Sequence, residues 1–394
     1  MDRIPGRKCV VIITGEASGD HHGAKVVRAM HRLDNTLFFC GVGGQELTKA
    51  GVRILVDISA LSVVGITEAL GKIATIYRCA AKIKRLLKGL KPDLLILIDY
   101  PEFNLHIAKV ARKAGIPVLY FISPQIWAWR RGRVKKIGQR IDHMAVILPF
   151  ETQFYQAHQI PVSYVGHPLL DTYRPTGSRQ GDDIQKPAVI GLVPGSREME
   201  ISRLLPEMVR AASLFNQRHG DYKYLISVAP TVDRRQLEDI VDQYADSLQF
   251  EFITDSIQTV FDRADLIVAA SGTVTLEAAI CGIPMIVVYK VSPVSYWLGR
   301  ALIKVKHISL VNLIADKEIV PELIQSEATA ENIAQKMTDI VKSDKAIKNM
   351  KREMHKIRDI LGTSGASEKV ADIALDMLSH ISPNPHIADR RDQI

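Results

Sequence analysis

Asp99 closes the apolar run LLILI and is followed by Tyr100, Pro101, Glu102, Phe103 and Asn104. A carboxylate at the carboxyl end of a buried strand can accept a hydrogen bond from a substrate hydroxyl and serve as general base. Its plainer role is to cap the helix that follows. Near the amino end, an apolar run leads into Gly15-Glu16-Ala17-Ser18-Gly19-Asp20 and then a helical stretch with Gly23 and Ala24. Glycines there suit a tight turn or a close approach to a ligand, and the helix amides can hold an anion. An ordinary turn capped by Ser18 or Asp20 fits equally well. The loop lacks the G-x-G-x-x-G of nicotinamide sites, and Gly41-Val42-Gly43-Gly44, after the second strand, reads as loop geometry.

Ser123-Pro-Gln-Ile-Trp127-Ala-Trp129 runs into Arg130, Arg131 and Arg133. Two tryptophans beside an arginine cluster suit a surface holding a ring or an acyl chain next to a phosphate, while core packing of one indole is the plainer alternative. In the second half, Val193-Pro-Gly-Ser-Arg197 opens a long helix at Glu198, where the planar fork of Arg197 is placed to reach a pyrophosphate; a surface arginine in a turn is the bland reading. Ser271, Gly272 and Thr273 start another helix with small residues that leave its amides free for an anion, and Glu277, one turn in, is placed for sugar hydroxyls. No D-x-D triplet occurs and His21 and His22 are adjacent, so no metal is predicted. A G-x-S-x-G elbow and a Walker lysine motif are also missing.

The elements that must carry these residues alternate. Strands are predicted at 9–13, 37–40, 94–98, 118–121 and 143–147, then at 189–193, 223–228, 266–269 and 285–288, with helices between them. That alternation predicts an α/β fold with two Rossmann-like, doubly wound domains facing a cleft at their strand carboxyl ends, followed by C-terminal helices. The expected domains are 1–172, 187–345 and a helical tail, 346–394, returning to the first domain; the polar stretch 171–186 reads as the linker.

The 394 residues are 47% hydrophobic and 24% charged, which argues against disorder or a coiled coil. The apolar runs are too short to span a bilayer, the amino end lacks a signal-peptide core, and a cytoplasmic location is expected. Cys9, Cys40, Cys79 and Cys281 are scattered in apolar contexts and read as buried thiols. The net charge of +8 points to an anionic partner. It is concentrated at 72–91, with seven basic residues and no acid, and at 127–140, with six and none. Nucleic acid ranks low for want of any RRM, KH or helix-turn-helix pattern.

Taken in order, GEASGD (15–20), DYPEFN (99–104), SPQIWAW (123–129), RVKKI (133–137), LPFE (148–151), GHPLLD (166–171), PGSR (194–197), SGT with LE (271–277) and NL (312–313) make the chain similar to the lipid A disaccharide synthases, GT-B glycosyltransferases of glycosyltransferase family 19. His21 and His22 depart from that pattern, at places more often small or aliphatic. The resemblance implies an inverting transfer of 2,3-diacylglucosamine from its UDP derivative to 2,3-diacylglucosamine 1-phosphate (lipid X), giving a β-1,6 disaccharide and UDP without a cofactor. It implies Asp99 as general base, with Glu16 or Asp20 as fallback, Arg197 and Ser271 to Thr273 on the pyrophosphate, Glu277 on the ribose, and Asn312 as a donor-site residue. Gly15, Ser18, Gly19, Trp127, Trp129 and Arg130 would serve the acceptor side. Acylated substrates imply peripheral contact with the anionic inner face of the inner membrane, for which Val63, Val64, Ile66, Leu70 and Ile73 with Arg78, Lys82 and Arg85 have the make-up of an interfacial helix. The alternative is that this helix packs on the sheet with a solvated basic face. A homodimer is compatible with this picture. The competing functions are another UDP-sugar enzyme, such as a 2-epimerase, and a noncatalytic binder of anionic lipid or nucleic acid.

Overall fold

A computed structural model describes residues 7–58, 66–127, 131–175, 189–220, 222–245, 248–292 and 306–380, with 66–74 and 131 described in backbone only. The chain divides into two compact units, 1–168 with 363–394, and 169–362.

In the first unit, β1 (Cys9–Ile13), α1 (Ala17–Leu33), β2 (Phe38–Gly43), α2 (Gln45–Lys49), β3 (Arg53–Asp57), α3 (Ile66–Leu90), β4 (Leu94–Ile98), α4 (Pro101–Lys113), β5 (Val118–Phe121), α5 (Val134–Gly138), β6 (His143–Val146), α6 (Pro149–Gln156) and β7 (Val162–Tyr164) follow one another. The strands form one parallel sheet in the order β3-β2-β1-β4-β5-β6-β7. All five residues of β1 are buried because both sheet faces are covered, as parallel sheets require. Alternation along the strands splits the core in two. Val11, Leu95 and Leu97 pack with α3, α4 and α5, whereas Val10, Ile12, Leu94 and Ile96 pack with α1 and with the helix at Ala366–Ser379.

The second unit repeats the plan. β8 (Val189–Val193), α7 (Glu198–His219), β9 (Lys223–Ser227), α8 (Arg234–Tyr244), β10 (Phe250–Ile253), α9 (Ile257–Arg263), β11 (Leu266–Ala270), α10 (Thr273–Cys281), β12 (Met285–Tyr289), α11 (Leu310–Ala315), β13 (Glu322–Ile324), α12 (Ala330–Val341) and α13 (Asp344–Ile360) build a parallel sheet ordered β10-β9-β8-β11-β12-β13. In each sheet the strand order reverses between the first and fourth strands, β1/β4 and β8/β11, and ligands of doubly wound sheets bind at such switch points.

The expected three-part division needs one change. α13 packs on α10 in the second unit, and only α14 (Ala366–Ser379) joins the first, against α1. The first domain, expected to reach 172, groups as a compact unit only to Pro168, and Tyr173, just beyond, stacks edge-on against Phe261 of the second unit. Of the expected linker, 176–186 lies outside the described residues. All four cysteines are free and buried.

Candidate active site

β1 and β4 run side by side and deliver Gly15-Glu16 and Asp99-Tyr100 to the same, carboxyl, end of the first sheet's strands. The two loops touch closely. A Cβ on Gly15 would sit 2.1 Å from the Tyr100 ring, so only glycine admits that ring. Asp99 and Tyr100 both take left-handed backbone conformations, at φ 47° and 48°, which cost non-glycine residues on the order of 1 kcal/mol each. α4 then starts with Tyr100, not Asp99, in the cap position, and Pro101 follows. The Asp99 carboxylate accepts the Tyr100 amide N–H, and its pKa is held above the ordinary carboxylate range by burial and then by the charge of Glu16. Glu16 is exposed and occupies the cap position of α1.

Asp20, expected as a helix cap or fallback base, has another task. Its Oδ1 accepts from the amides of Gly44 at 2.6 Å and Leu47 at 3.4 Å, and Oδ2 accepts from Glu46 at 2.9 Å, so it fixes the start of α2 and is committed to backbone. Ser18 and Gly19 lie in the first turn of α1, Ser18 exposed and Gly19 buried against Thr14. His21 is exposed; His22 is half-buried beside it and is kept neutral by burial, by His21 and by Lys25, its pKa lowered to about 4.

At the ends of β5 and β6 the organising group is one that sequence reasoning left without a role, Glu151. It is 1% exposed. Its Oε1 accepts Ser123 Oγ at 2.6 Å and Trp127 Nε1 at 3.0 Å, and Oε2 accepts the Leu148 amide at 3.1 Å. Burial outweighs these donors and raises its pKa to about 7. Trp127 is half-buried and meets Phe150 edge-on at 4.7 Å. Trp129 and Arg130 lie outside the described residues. LPFE does carry a local signal, proline at the first helical position and glutamate at the third, but that signal predicts a helix start and nothing more.

In the second unit, Gly195 turns the chain out of β8 at φ 109°, with the Glu200 carboxylate packed against it. Arg197 caps α7, is 77% exposed at its side chain, and pairs with Glu200 at 3.2 Å. Across the switch point, Ser271 Oγ donates to the Ile308 carbonyl at 3.3 Å and exposed Gly272 precedes α10, whose first residue is Thr273. Glu277 receives a hydrogen bond from Tyr173, yet burial raises its pKa to about 7. Arg197, Ser271, Gly272, Thr273 and Glu277 thus lie at the carboxyl ends of β8 and β11 and on the helices that follow.

Asn312 does not join them as a ligand group. It is fully buried; Nδ2 donates to Val320 O and Glu322 Oε1, both at 2.8 Å, and Oδ1 accepts the amides of Ile319 at 2.8 Å and Val320 at 3.1 Å. With its polar atoms committed, it can act on a ligand only through the loop it holds. Glu322 completes that loop, accepting Ser309 Oγ at 2.6 Å and the Ser309 and Ile308 amides.

Val63 and Val64 fall outside the described residues, and Ile66, Leu70 and Ile73 are placed by backbone alone on α3. From Cys79 onward α3 seats Cys79, Ala80, Ile83, Leu87 and Leu90 on the sheet. Arg78, Lys82 and Arg85 face outward, with Tyr77 72% exposed. This half of α3 therefore packs as an ordinary amphipathic helix with a basic outer face. Among the described residues no helix is long and apolar enough to cross a membrane.

The same two-unit fold recurs in solved structures. Acinetobacter baumannii MurG matches at TM-score 0.60 and 15% identity over 94% of this chain and 99% of that one. A UDP co-structure of S. aureus MnaA matches at 0.61 and 13%, over 96% and 99%. Identities this low speak for fold alone, and the fold class is GT-B, two doubly wound α/β units in one chain. Sequence relatives narrow this further. A family model described as lipid-A-disaccharide synthetase matches residues 10–374. The lipid-A-disaccharide synthase of Geobacter metallireducens is 45% identical over 385 residues, 96% of this chain and 99% of the relative, and that of Geobacter sulfurreducens is 44% identical over 375, 94% and 97%. The chain belongs to the lipid-A-disaccharide synthase family and is a glycosyltransferase.

Proposed function

We propose that this enzyme transfers 2,3-diacylglucosamine from its UDP derivative to the 6-hydroxyl of 2,3-diacylglucosamine 1-phosphate. The observation that carries the assignment of roles is the Asp99 carboxylate at the β1/β4 switch point, its proton affinity raised by burial and by Glu16. Asp99 takes the proton as the hydroxyl oxygen attacks the anomeric carbon. The bond from that carbon to the UDP oxygen breaks, UDP leaves with the electron pair, and attack from the opposite face makes the new linkage β. The amides at the start of α10 and the guanidinium of Arg197 stabilise the departing pyrophosphate, and Glu277 accepts hydrogen bonds from the ribose. The loop built by Glu151 presents Trp127 to the acceptor. The outward cations of α3, Arg78, Lys82 and Arg85, support peripheral attachment to the anionic inner face of the inner membrane, where both acylated substrates reside.

UDP release tests this, measured with the UDP-linked donor in detergent and chelator, with and without lipid X. Release that requires lipid X and survives the chelator is expected. Release without any acceptor would instead indicate a hydrolase or epimerase.

A further inference from the structure

Asp99 owes its direction to an unusual backbone. The alternation that sends Leu95 and Leu97 to the α3–α4 face of the sheet would, in a strand continued one residue further, send residue 99 into that apolar layer too. Instead the chain breaks into two left-handed residues, Asp99 and Tyr100. Three hydrogen bonds from buried side chains hold the break. Asn104 Nδ2, in the first turn of α4, donates to Ile98 O at 3.1 Å and to Asp99 O at 2.7 Å. Tyr120 Oη, from the neighbouring strand, donates to the same Asp99 carbonyl at 2.5 Å. Asn104 and Tyr120 are both 0% exposed. A phenylalanine at 120 would fill the same apolar layer, so the packing does not call for the hydroxyl, whereas the Asp99 carbonyl does.

We propose that Asn104 and Tyr120 are positioning residues that clamp the Asp99 carbonyl and thereby hold the Asp99 carboxylate within reach of the Glu16 charge, next to the Tyr100 ring that packs on Gly15. This rests on Asp99 being the base. The groups facing that carboxylate are Glu16 from the β1–α1 loop and the Tyr100 amide from its own turn, with the neutral Tyr120 phenol beneath. Released from the clamp, the turn relaxes toward solvent and the carboxylate moves away from burial and from Glu16.

The test is Tyr120→Phe, with Asn104→Ala as a second variant, assayed by UDP release across pH alongside Asp99→Asn and the double variant Asp99→Asn/Tyr120→Phe. Small misplacements of a reacting group cost up to about a hundredfold in rate. The expected result for Tyr120→Phe is a ten- to hundredfold lower kcat, KM values within about twofold, and an acid limb of kcat displaced to lower pH. In the Asp99→Asn background, Tyr120→Phe should alter the residual single-turnover rate by less than about twofold, as expected for two residues acting as one unit. Wild-type kcat in Tyr120→Phe with Asp99→Asn inactive overturns the clamp and leaves the base assignment standing. An equal loss in both backgrounds overturns it as well, since the tyrosine then acts by general stability. If Asp99→Asn retains the wild-type rate, the base assignment itself fails. Tyr120→Phe carries the test if Asn104→Ala does not fold.

Discussion

A carboxylate buried at 1% exposure is costly unless donors surround it, and Glu151 recruits them from two loops. Its proton affinity still rises, from the ordinary 4.5 to about 7. Between those values the folded chain holds a proton that the unfolded chain has released. Glu151 therefore adds stability below pH 4.5 that is lost as pH rises through 7, an effect of about 3 kcal/mol in total by linkage. Denaturant unfolding of wild type and Glu151→Gln at pH 5, 6, 7 and 8 checks this. The wild-type curve should fall more steeply than that of the variant, and parallel curves would refute the buried-carboxylate account. Nothing in LPFE announces this role, because its side-chain partners Ser123 and Trp127 lie 28 and 24 residues away. Asp99 was legible for the opposite reason, since an acid directly after LLILI needs no tertiary partner to be noticed. Asp20 shows how local reading fails. Its type and place in the loop suggest a helix cap, but Glu16 takes the cap position and the amides of Gly44 and Glu46 recruit Asp20 from another loop.

Among elements, legibility followed position in the sheet. The nine strands expected from apolar runs include all the interior strands of both sheets, whereas β3, β7, β10 and β13 went unread, and these are the four edge strands. Interior parallel strands are buried on both faces and read as unbroken apolar runs. Edge strands are short and mixed, such as ELI at β13 and RILVD at β3, and their pairing is decided by the strand beside them. On the proposed assignment of the donor site, β13 matters because it supplies Glu322, the anchor of the loop before α11. Asn312→Ala strips the acceptor from two backbone amides and should cost about 2 kcal/mol. Because that loop adjoins Ser271, the donor KM should rise while the acceptor KM holds. A higher donor KM with an unchanged melting temperature would mean that Asn312 meets the nucleotide directly, contrary to its hydrogen bonding.

At the scale of the whole molecule, the first unit is discontinuous in sequence, its sheet ending at β7 and its helix α14 following the second unit. That helix is integral to the core. Ala366, Val370, Ala371, Ala374 and Leu378 of α14 are buried with Val10, Ile12 and α1 residues, while Arg32 pairs with Glu368 and Lys8 Nζ donates to Leu378 O. The spacing of the buried positions, 366, 370, 374 and 378, is one helical face laid on α1. The core of the first unit is thus incomplete without residues that follow the second unit in sequence, whereas the second unit is continuous from Leu169 to Gly362. Val370 is 0% exposed, so Val370→Asp places a carboxylate in apolar surroundings and should cost at least about 3 kcal/mol. Hydrogen exchange resolved by segment locates the loss. Amides of β1, β2, β4 and β5 should lose protection while those of β8, β11 and β12 keep theirs. Equal loss in both sheets would mean that α14 stabilises the chain as a whole, and no loss in either would remove it from the core.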